Sequence, residues 1–450
     1  MAEPTDHERE LASFVADLDP ADVPERIRDR AGLVVADTVG AILGGASDPA
    51  VAGLVERWAG TPNGNGTATV LGTDDLGADP TKAAFVNGTS GTALELDEGH
   101  KYAAGHPAIH VLPAALAEAE ADYGGGEAFL TAFVAGYEAA VRVARAATPL
   151  DARYHPHGVW GAVGAAAAVC RYRGFDPDET LTSLRIAANY AQHTRFAAAT
   201  EGATVRNSFA GMSNLSGIVA ADQAGAGFTG LSEGIARHLD AATDDGVDPA
   251  ALSEGLGTDW ELAEGYFKRH AACRFTHPAL DAVAALDDAG SVPPPARIER
   301  VEVETYPAAA ALAATRPGNA LQAKFSVPFA VATALVTGGT GKEAFEESAL
   351  TDETLALAER VSVRVADDIA ERVPDARGAR VRIRDRAGTT VSRTVEEARG
   401  GERDPFTEAE LREKFEALAA PVVGDRRVDD LWAAAREPAA PRVLCALTRA

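Results

Sequence analysis

Residues 23–43 read VPERIRDRAGLVVADTVGAIL, with apolar residues recurring at helical spacing until Gly44-Gly45 stops the run. The same pattern predicts helices over residues 83–92, 114–121, 127–147, 161–173, 178–192 and 213–226. Most of these are Ala-rich, which suits close helix packing. Few stretches before residue 266 read as strands, so residues 1–265 are expected to form one all-helical domain. The character then changes. RIERVEVET at 297–305 alternates apolar and polar residues, as does 361–365. ARVRIRDRAGTTVSRTV at 379–395 holds two alternating runs around Arg386-Ala387-Gly388, a hairpin signal. Helical patterns at 277–289 and 325–337 lie between them. Residues 266–404 therefore read as a smaller α+β lid domain. Asp404-Pro405 breaks the chain, and Thr407 opens TEAELREKFEALA with Glu410 at capping-box spacing. Residues 405–450 are expected to return to the helical domain. The fold class is mainly α: a large all-helical domain plus a smaller α+β lid.

The 450 residues suffice for two or three domains, or for one large domain with a second inserted. The net charge is -25, and lysine is scarce: Lys82, Lys101, Lys268, Lys324, Lys342 and Lys414 are all there are. Acids such as Asp240, Asp244, Asp245 and Asp248 are dispersed over expected loops. That pattern reads as a salt-adapted, well-hydrated surface rather than a dock for a basic partner. Nucleic acid is disfavoured on the same charge. Cys170, Cys273 and Cys445 are far apart, with no CxxC, which argues against a disulfide framework or zinc knuckle. The opening MAEPTDHERELASF is acidic and reads as the start of a helix, not a signal peptide. No apolar run reaches membrane-spanning length, so a cytoplasmic protein is expected.

Chemistry concentrates in residues 87–113, NGTSGTALELDEGHKYAAGHPAIHVLP. Glu95, Asp97, Glu98, His100, Lys101, His106 and His110 fall within sixteen residues. Imidazoles titrate near neutral pH and carboxylates orient them, which suits proton transfer. Four further segments carry matching groups. YHPHGVWGAVG at 154–164 supplies His155 and His157, and EGATVRNSFAGMSN at 201–214 supplies Arg206. YFKRHAACRFTHPALD at 266–281 groups Lys268, Arg269, His270, Arg274 and His277, and QAKFSVP at 322–328 supplies Lys324. Taken singly, each fits a turn, a capping imidazole or a solvated face equally well. Together with the 87–113 stretch they gather three of the six lysines, Lys101, Lys268 and Lys324, in a chain that has shed lysine elsewhere. Local cations in a strongly acidic protein point to a small carboxylate substrate. VTGGTGKE at 336–343 lacks the first glycine and the Ser/Thr of a phosphate-binding loop, and HExxH and GxSxG are absent.

In this order, ADTVGAILGG, AAFVNGTSGTALELDEGH, GHPAIHVLPAALAEAE, YHPHGVWGAVGAAAAV, GATVRNSFAG, FKRHAACRFTHPALDA, QAKFSVPFAVATAL and DPFTEAELREKF resemble the MmgE/PrpD family. Its members include 2-methylcitrate dehydratase, cis-aconitate decarboxylase and iminodisuccinate epimerase. The resemblance implies a homodimer with an active site between helical domain and lid, and no metal or organic cofactor. It also implies one shared step, moving a proton on carbon next to a carboxylate. The family's Asp-aromatic-Asp-Asp motif falls on Glu95-Leu96-Asp97-Glu98, and its two His-Pro turns on His106 and His155. His157 stands where a small hydroxyl residue is usual, Arg206 where a lysine is usual, and Lys268 matches a family lysine. Cys273, four residues before His277, stands where decarboxylases carry a histidine.

The resulting expectation is a cofactor-independent hydro-lyase, with 2-methylcitrate as substrate. His106 with Asp97 would take the proton. His100, His155 or Lys268, protonated, would help the β-hydroxyl leave. Arg206, Lys268 and Lys324 would hold carboxylates, with Glu95, Lys101, His157, Cys273 and His277 completing the binding site. An epimerase or isomerase of a dicarboxylate is the alternative on the same scaffold, and the departures at Arg206 and Cys273 count against cis-aconitate decarboxylase. An iron–sulfur hydro-lyase would need a local cysteine pair that the chain lacks. A non-catalytic carboxylate-binding protein is the rival outside enzymes, marked by ligand binding that survives loss of His106 without turnover.

Overall fold

Proline opens many of the helices in the computed structural model, which describes residues 6–58, 66–73, 77–243, 245–437 and 440–449. The first five residues, Asp244 and Ala450 lie outside them. Helices Pro80–Thr92, Pro107–Ala121, Pro156–Arg173 and Pro177–Tyr190 all begin on the ring residue. Proline's fixed φ suits the first turn, and its missing N–H has no helical partner there in any case. All four therefore start earlier than the sequence pattern suggests, most of all those at residues 107 and 156 rather than 114 and 161. His106 and His155 become the N-cap residues of these helices.

The larger part of the molecule is helical. Helix Pro156–Arg173, buried from His157 to Cys170, is its centre. Gly126–Ala146, Phe209–Gly225, Pro107–Ala121 and Pro177–Tyr190 surround it. Small residues permit the approach. A Cβ on Gly88 would lie 2.9 Å from the Gly211 nitrogen, and one on Gly211 only 2.4 Å from the Phe85 carbonyl oxygen. Helices Pro80–Thr92 and Phe209–Gly225 thus meet backbone to backbone. Helices Glu408–Val423 and Asp425–Arg436 pack on Glu25–Gly45. Leu411, Phe415 and Leu431 enter the same apolar core as Val34 and Val39. The first of these helices opens on a capping box between Thr407 and Glu410. Among the described residues, no single helix is long and apolar enough to cross a membrane.

The smaller part is α+β. Its four-stranded sheet runs in the order Val361–Val365, Ile298–Thr305, Ala379–Asp385, Thr390–Val395. The first pair is parallel and the other two are antiparallel. Alternation sorts the faces. Val301, Val303, Val381 and Ile383 pack beneath helices His277–Asp288 and Val327–Thr337. On the other face Glu304 sits among Arg364, Arg380 and Arg382, with the last two at 2.7 and 2.9 Å.

Two features tie the parts together. Gly99–His100 pairs antiparallel with Gly265–Tyr266, fastening the acidic segment to the start of the 266–281 stretch. Leu94 and Leu96 enter an apolar cluster with Leu280, Phe329 and Phe345 of the smaller part and Leu418 of the C-terminal helices.

Candidate active site

With Leu94 and Leu96 committed to that cluster, the alternating carboxylates Glu95 and Asp97 turn the other way. Both are fully buried. Glu95 adopts a φ of 56°, the left-handed region, which costs a non-glycine residue on the order of 1 kcal/mol. Its carboxylate is held by the Arg206 guanidinium and by the Lys268 Nζ at 3.2 Å. Lys268 also donates to the Glu95 carbonyl at 3.1 Å and lies 3.8 Å from Asp97. Burial alone would raise the Glu95 carboxyl, but Arg206 and Lys268 overcome it and hold the group at about 2. Asp97 is less well compensated: burial and the Glu95 charge push it up to about 6, against the pull of Lys268.

His106 occupies the N-cap position of helix Pro107–Ala121, with its side chain turned to other partners. Its Nδ1 lies 2.7 Å from the Glu98 carbonyl oxygen and 3.3 Å from Asp97 Oδ2. An imidazole that donates from Nδ1 leaves Nε2 as its basic nitrogen. Burial and the nearby Lys268 push this imidazole down to about 3, so it is neutral at physiological pH. His155, His157 and His110 are likewise buried and driven well below the ordinary range by desolvation. The His157 ring lies 4.7 Å from His106, 4.4 Å from His155 and 4.8 Å from His110. Gly161 makes room for this group, since a Cβ there would fall 2.1 Å from His110 Nδ1. Glu95, His106, His155, His157, Arg206 and Cys273 all line one small cavity of about 30 Å³.

Glu98 serves the frame. The Tyr137 hydroxyl donates to it at 2.5 Å and the Ala108 N–H at 3.2 Å. Burial pushes its carboxyl up to about 8. The folded chain keeps this proton above the ordinary carboxyl range while the unfolded chain loses it, so the group costs stability as pH rises from about 4.5 to about 8. Glu98→Gln is expected to remove that loss. Between about pH 6 and about pH 8 the variant should lose roughly 2 kcal/mol less than the parent in denaturant titrations. Equal losses in the two proteins would refute the assignment.

Family models for the MmgE/PrpD N-terminal domain and the MmgE/PrpD C-terminal domain match residues 9–240 and 270–437. The chain belongs to the MmgE/PrpD family. Among its relatives is the cis-aconitate decarboxylase-like protein oryM of Aspergillus oryzae, 28% identical, with 93% of this chain and 92% of that protein covered. The cis-aconitate decarboxylase of Homo sapiens is 26% identical over 94% of this chain and 89% of its own length. The cis-aconitate decarboxylase of Aspergillus terreus is 24% identical, with coverages of 94% and 91%.

The remaining residues singled out in this MmgE/PrpD chain fall at graded distances from the cavity. Asp97 and Lys268 stand directly behind Glu95 and His106. Lys324 donates to the Ala93 carbonyl at 2.7 Å, bracing the acidic segment. His277 sits behind Cys273, its Nε2 3.0 Å from the Ala272 carbonyl oxygen. Lys101 lies in a separate outer cavity. His100 does not reach the inner cavity. Its Nδ1 accepts from the Ala103 N–H at 3.3 Å, and its Nε2 faces Glu261 at 3.5 Å. Burial and Arg145 push it to about 3, so it is not the protonated partner expected from the sequence. His155 does line the inner cavity, and burial likewise favours its neutral form. His100, Glu261 and Glu264 lie close enough together to suggest a metal site. However, Arg145 already neutralises both carboxylates, at 2.7 and 3.0 Å, and His100 has committed its Nδ1 lone pair. Sequence reasoning missed Tyr266, Phe196, Phe325 and Arg377, which also line the inner cavity. Tyr266 and Phe325 carry a signal, lying two residues from Lys268 and next to Lys324.

Proposed function

We propose that this MmgE/PrpD enzyme is a cofactor-independent lyase that eliminates water from a tricarboxylate, with 2-methylcitrate as substrate. One observation carries the reading: a neutral imidazole with a fixed tautomer, His106, shares a cavity with the buried Arg206–Glu95–Lys268 ion network. His106 Nε2 takes the proton from the carbon next to a carboxylate. The electron pair forms the C=C bond as the C–O bond to the neighbouring hydroxyl breaks. Arg206, which faces the cavity, steadies the carboxylate on which charge develops. Of the three candidate proton donors to the departing hydroxide, Lys268 is the one whose nitrogen is ion-paired, with Glu95. The same reading carries a cytoplasmic homodimer that needs no cofactor.

Decarboxylation of cis-aconitate is the second reading, favoured by the names of the relatives. The Cys273 thiol stands in the cavity, pushed up to about 11 by burial, and is therefore neutral. Purified protein at high potassium chloride should be given 2-methylcitrate and cis-aconitate in separate reactions. A rise in ultraviolet absorbance with the first supports the dehydratase. Carbon dioxide release from the second replaces it with the decarboxylase. Solvent deuterium uptake without unsaturation points instead to an epimerase.

A further inference from the structure

The inner cavity adjoins a larger one of about 240 Å³, open at the seam between the two parts. Tyr266, Arg274 and Arg377 line both and form the neck between them. Arg377 donates through one amine to the Lys101 carbonyl at 2.7 Å. Arg274 donates to the carbonyls of Ala398 and Arg399 at 2.7 and 2.8 Å and stacks 4.3 Å from the Tyr266 ring. Neither guanidinium has a carboxylate within ion-pair distance among the described residues. The acids around them are engaged elsewhere. Glu397 pairs with Lys101 at 3.6 Å and with Arg403 at 3.5 Å, and Glu264 pairs with Arg145 at 3.0 Å. Asp375 and Glu402 stand exposed on the rim of the outer cavity.

Two guanidiniums without acids are costly in a half-buried neck, and in a chain of charge -25 acids to pair with them are plentiful. Each keeps N–H groups in the planar fork that matches a carboxylate. We propose that Arg274 and Arg377 form a carboxylate-binding subsite at this neck. It takes the outer carboxylate groups of a di- or tricarboxylate whose reacting carbon lies beside His106. This rests on the reading of the inner cavity as acting next to a carboxylate. A monocarboxylate reaching Arg206 would leave both guanidiniums unused.

The test is calorimetric titration with propane-1,2,3-tricarboxylate, which has no hydroxyl to lose. Parent protein, Arg377→Gln, Arg377→Lys and Arg403→Gln are compared at one salt concentration, with melting curves for each. Arg403→Gln removes the same charge from the outer cavity without touching the neck. Arg377→Gln is expected to weaken binding at least tenfold, Arg377→Lys less, and Arg403→Gln less than threefold. Equal weakening by Arg377→Gln and Arg403→Gln would reduce the effect to bulk charge and overturn the subsite. So would unchanged binding by Arg377→Gln, or no binding by the parent. The titration needs no turnover. Arg377-dependent binding without dehydration or decarboxylation would keep the subsite and remove the lyase. Turnover with an unaltered KM in Arg377→Gln would do the reverse.

Discussion

His106→Asn should fold, bind a tricarboxylate and turn over about a hundred to ten thousand times more slowly than the parent. The asparagine amide nitrogen can take the place of Nδ1 and donate to the Glu98 carbonyl, which His106 meets at 2.7 Å. Nothing in asparagine replaces Nε2. The substitution therefore separates the bond that Nδ1 makes to the Glu98 carbonyl from the proposed role of Nε2 as base. His106→Gln places its amide nearer the Nε2 position and gives up the bond to Glu98, so it should lose stability as well as rate. Initial rates and melting curves of the two variants check the claim. An asparagine variant within tenfold of the parent would move the base elsewhere, with His157 the nearest imidazole lining the cavity, 4.7 Å away ring to ring.

Lys268→Met should be the most destabilising single change in the site, by about 3–5 kcal/mol near neutral pH. Lys268 is fully buried, and its nitrogen stands between Glu95 and Asp97 at 3.2 and 3.8 Å. Methionine fills the space, so the loss is electrostatic rather than a cavity effect. Arg206 still neutralises one carboxylate, and the other is left buried without a cation. The penalty has a definite pH dependence. Asp97 already stands at about 6, and without Lys268 its affinity for a proton rises further. As pH falls the orphaned carboxylate protonates in the fold, and the gap between variant and parent narrows. Denaturant titrations of both proteins at about pH 7 and about pH 5.5 measure that gap. A gap under about 1 kcal/mol, or one that does not shrink on acidification, contradicts the assigned network.

The acid side also bears on the parent. His100 and His106 stand at about 3, and His110, His155, His157 and His277 are driven well below the ordinary range by burial. An imidazole lowered in the fold contributes its stability above its unfolded value, about 6.5, and loses it as pH falls toward the folded value. Several such groups together make acid unfolding steep.

Much of this was legible in the chain because local rules act locally. The helical spacing of residues 23–43 became helix Glu25–Gly45, and the alternation at 361–365 became the strand Val361–Val365. The Thr407–Glu410 spacing became a capping box. The His-Pro dipeptides were harder, because proline ends one element and opens the next with the same ring. The candidate residues converge unevenly for a related reason. His100 and His106 are six positions apart, yet the short strand Gly99–His100 commits the first to Glu261 while a helix start commits the second to the cavity. Density along a sequence does not fix direction in space. Arg377 carried no signal at all, standing among the many arginines of the α+β part and more than 200 residues from the histidines it faces across the cavity.

Leu94 and Leu96 carry a consequence for how such a protein can diverge. Their side chains supply part of the apolar surface on which Phe329 and Phe345 rest, while the residues between and after them carry the buried carboxylates of Glu95 and Asp97. A five-residue stretch is thus a shared wall, load on one side and chemistry on the other. The smaller part cannot be exchanged for a relative's as a module, because its footing would come with the wrong carboxylate positions. Nor is drift in its aliphatic residues silent. A methylene gained at Leu280 or Phe329 would press on Leu94 and Leu96, the two neighbours of Glu95 in the chain. The apolar contact thus couples the two parts of the chain through the same short stretch that carries the carboxylates.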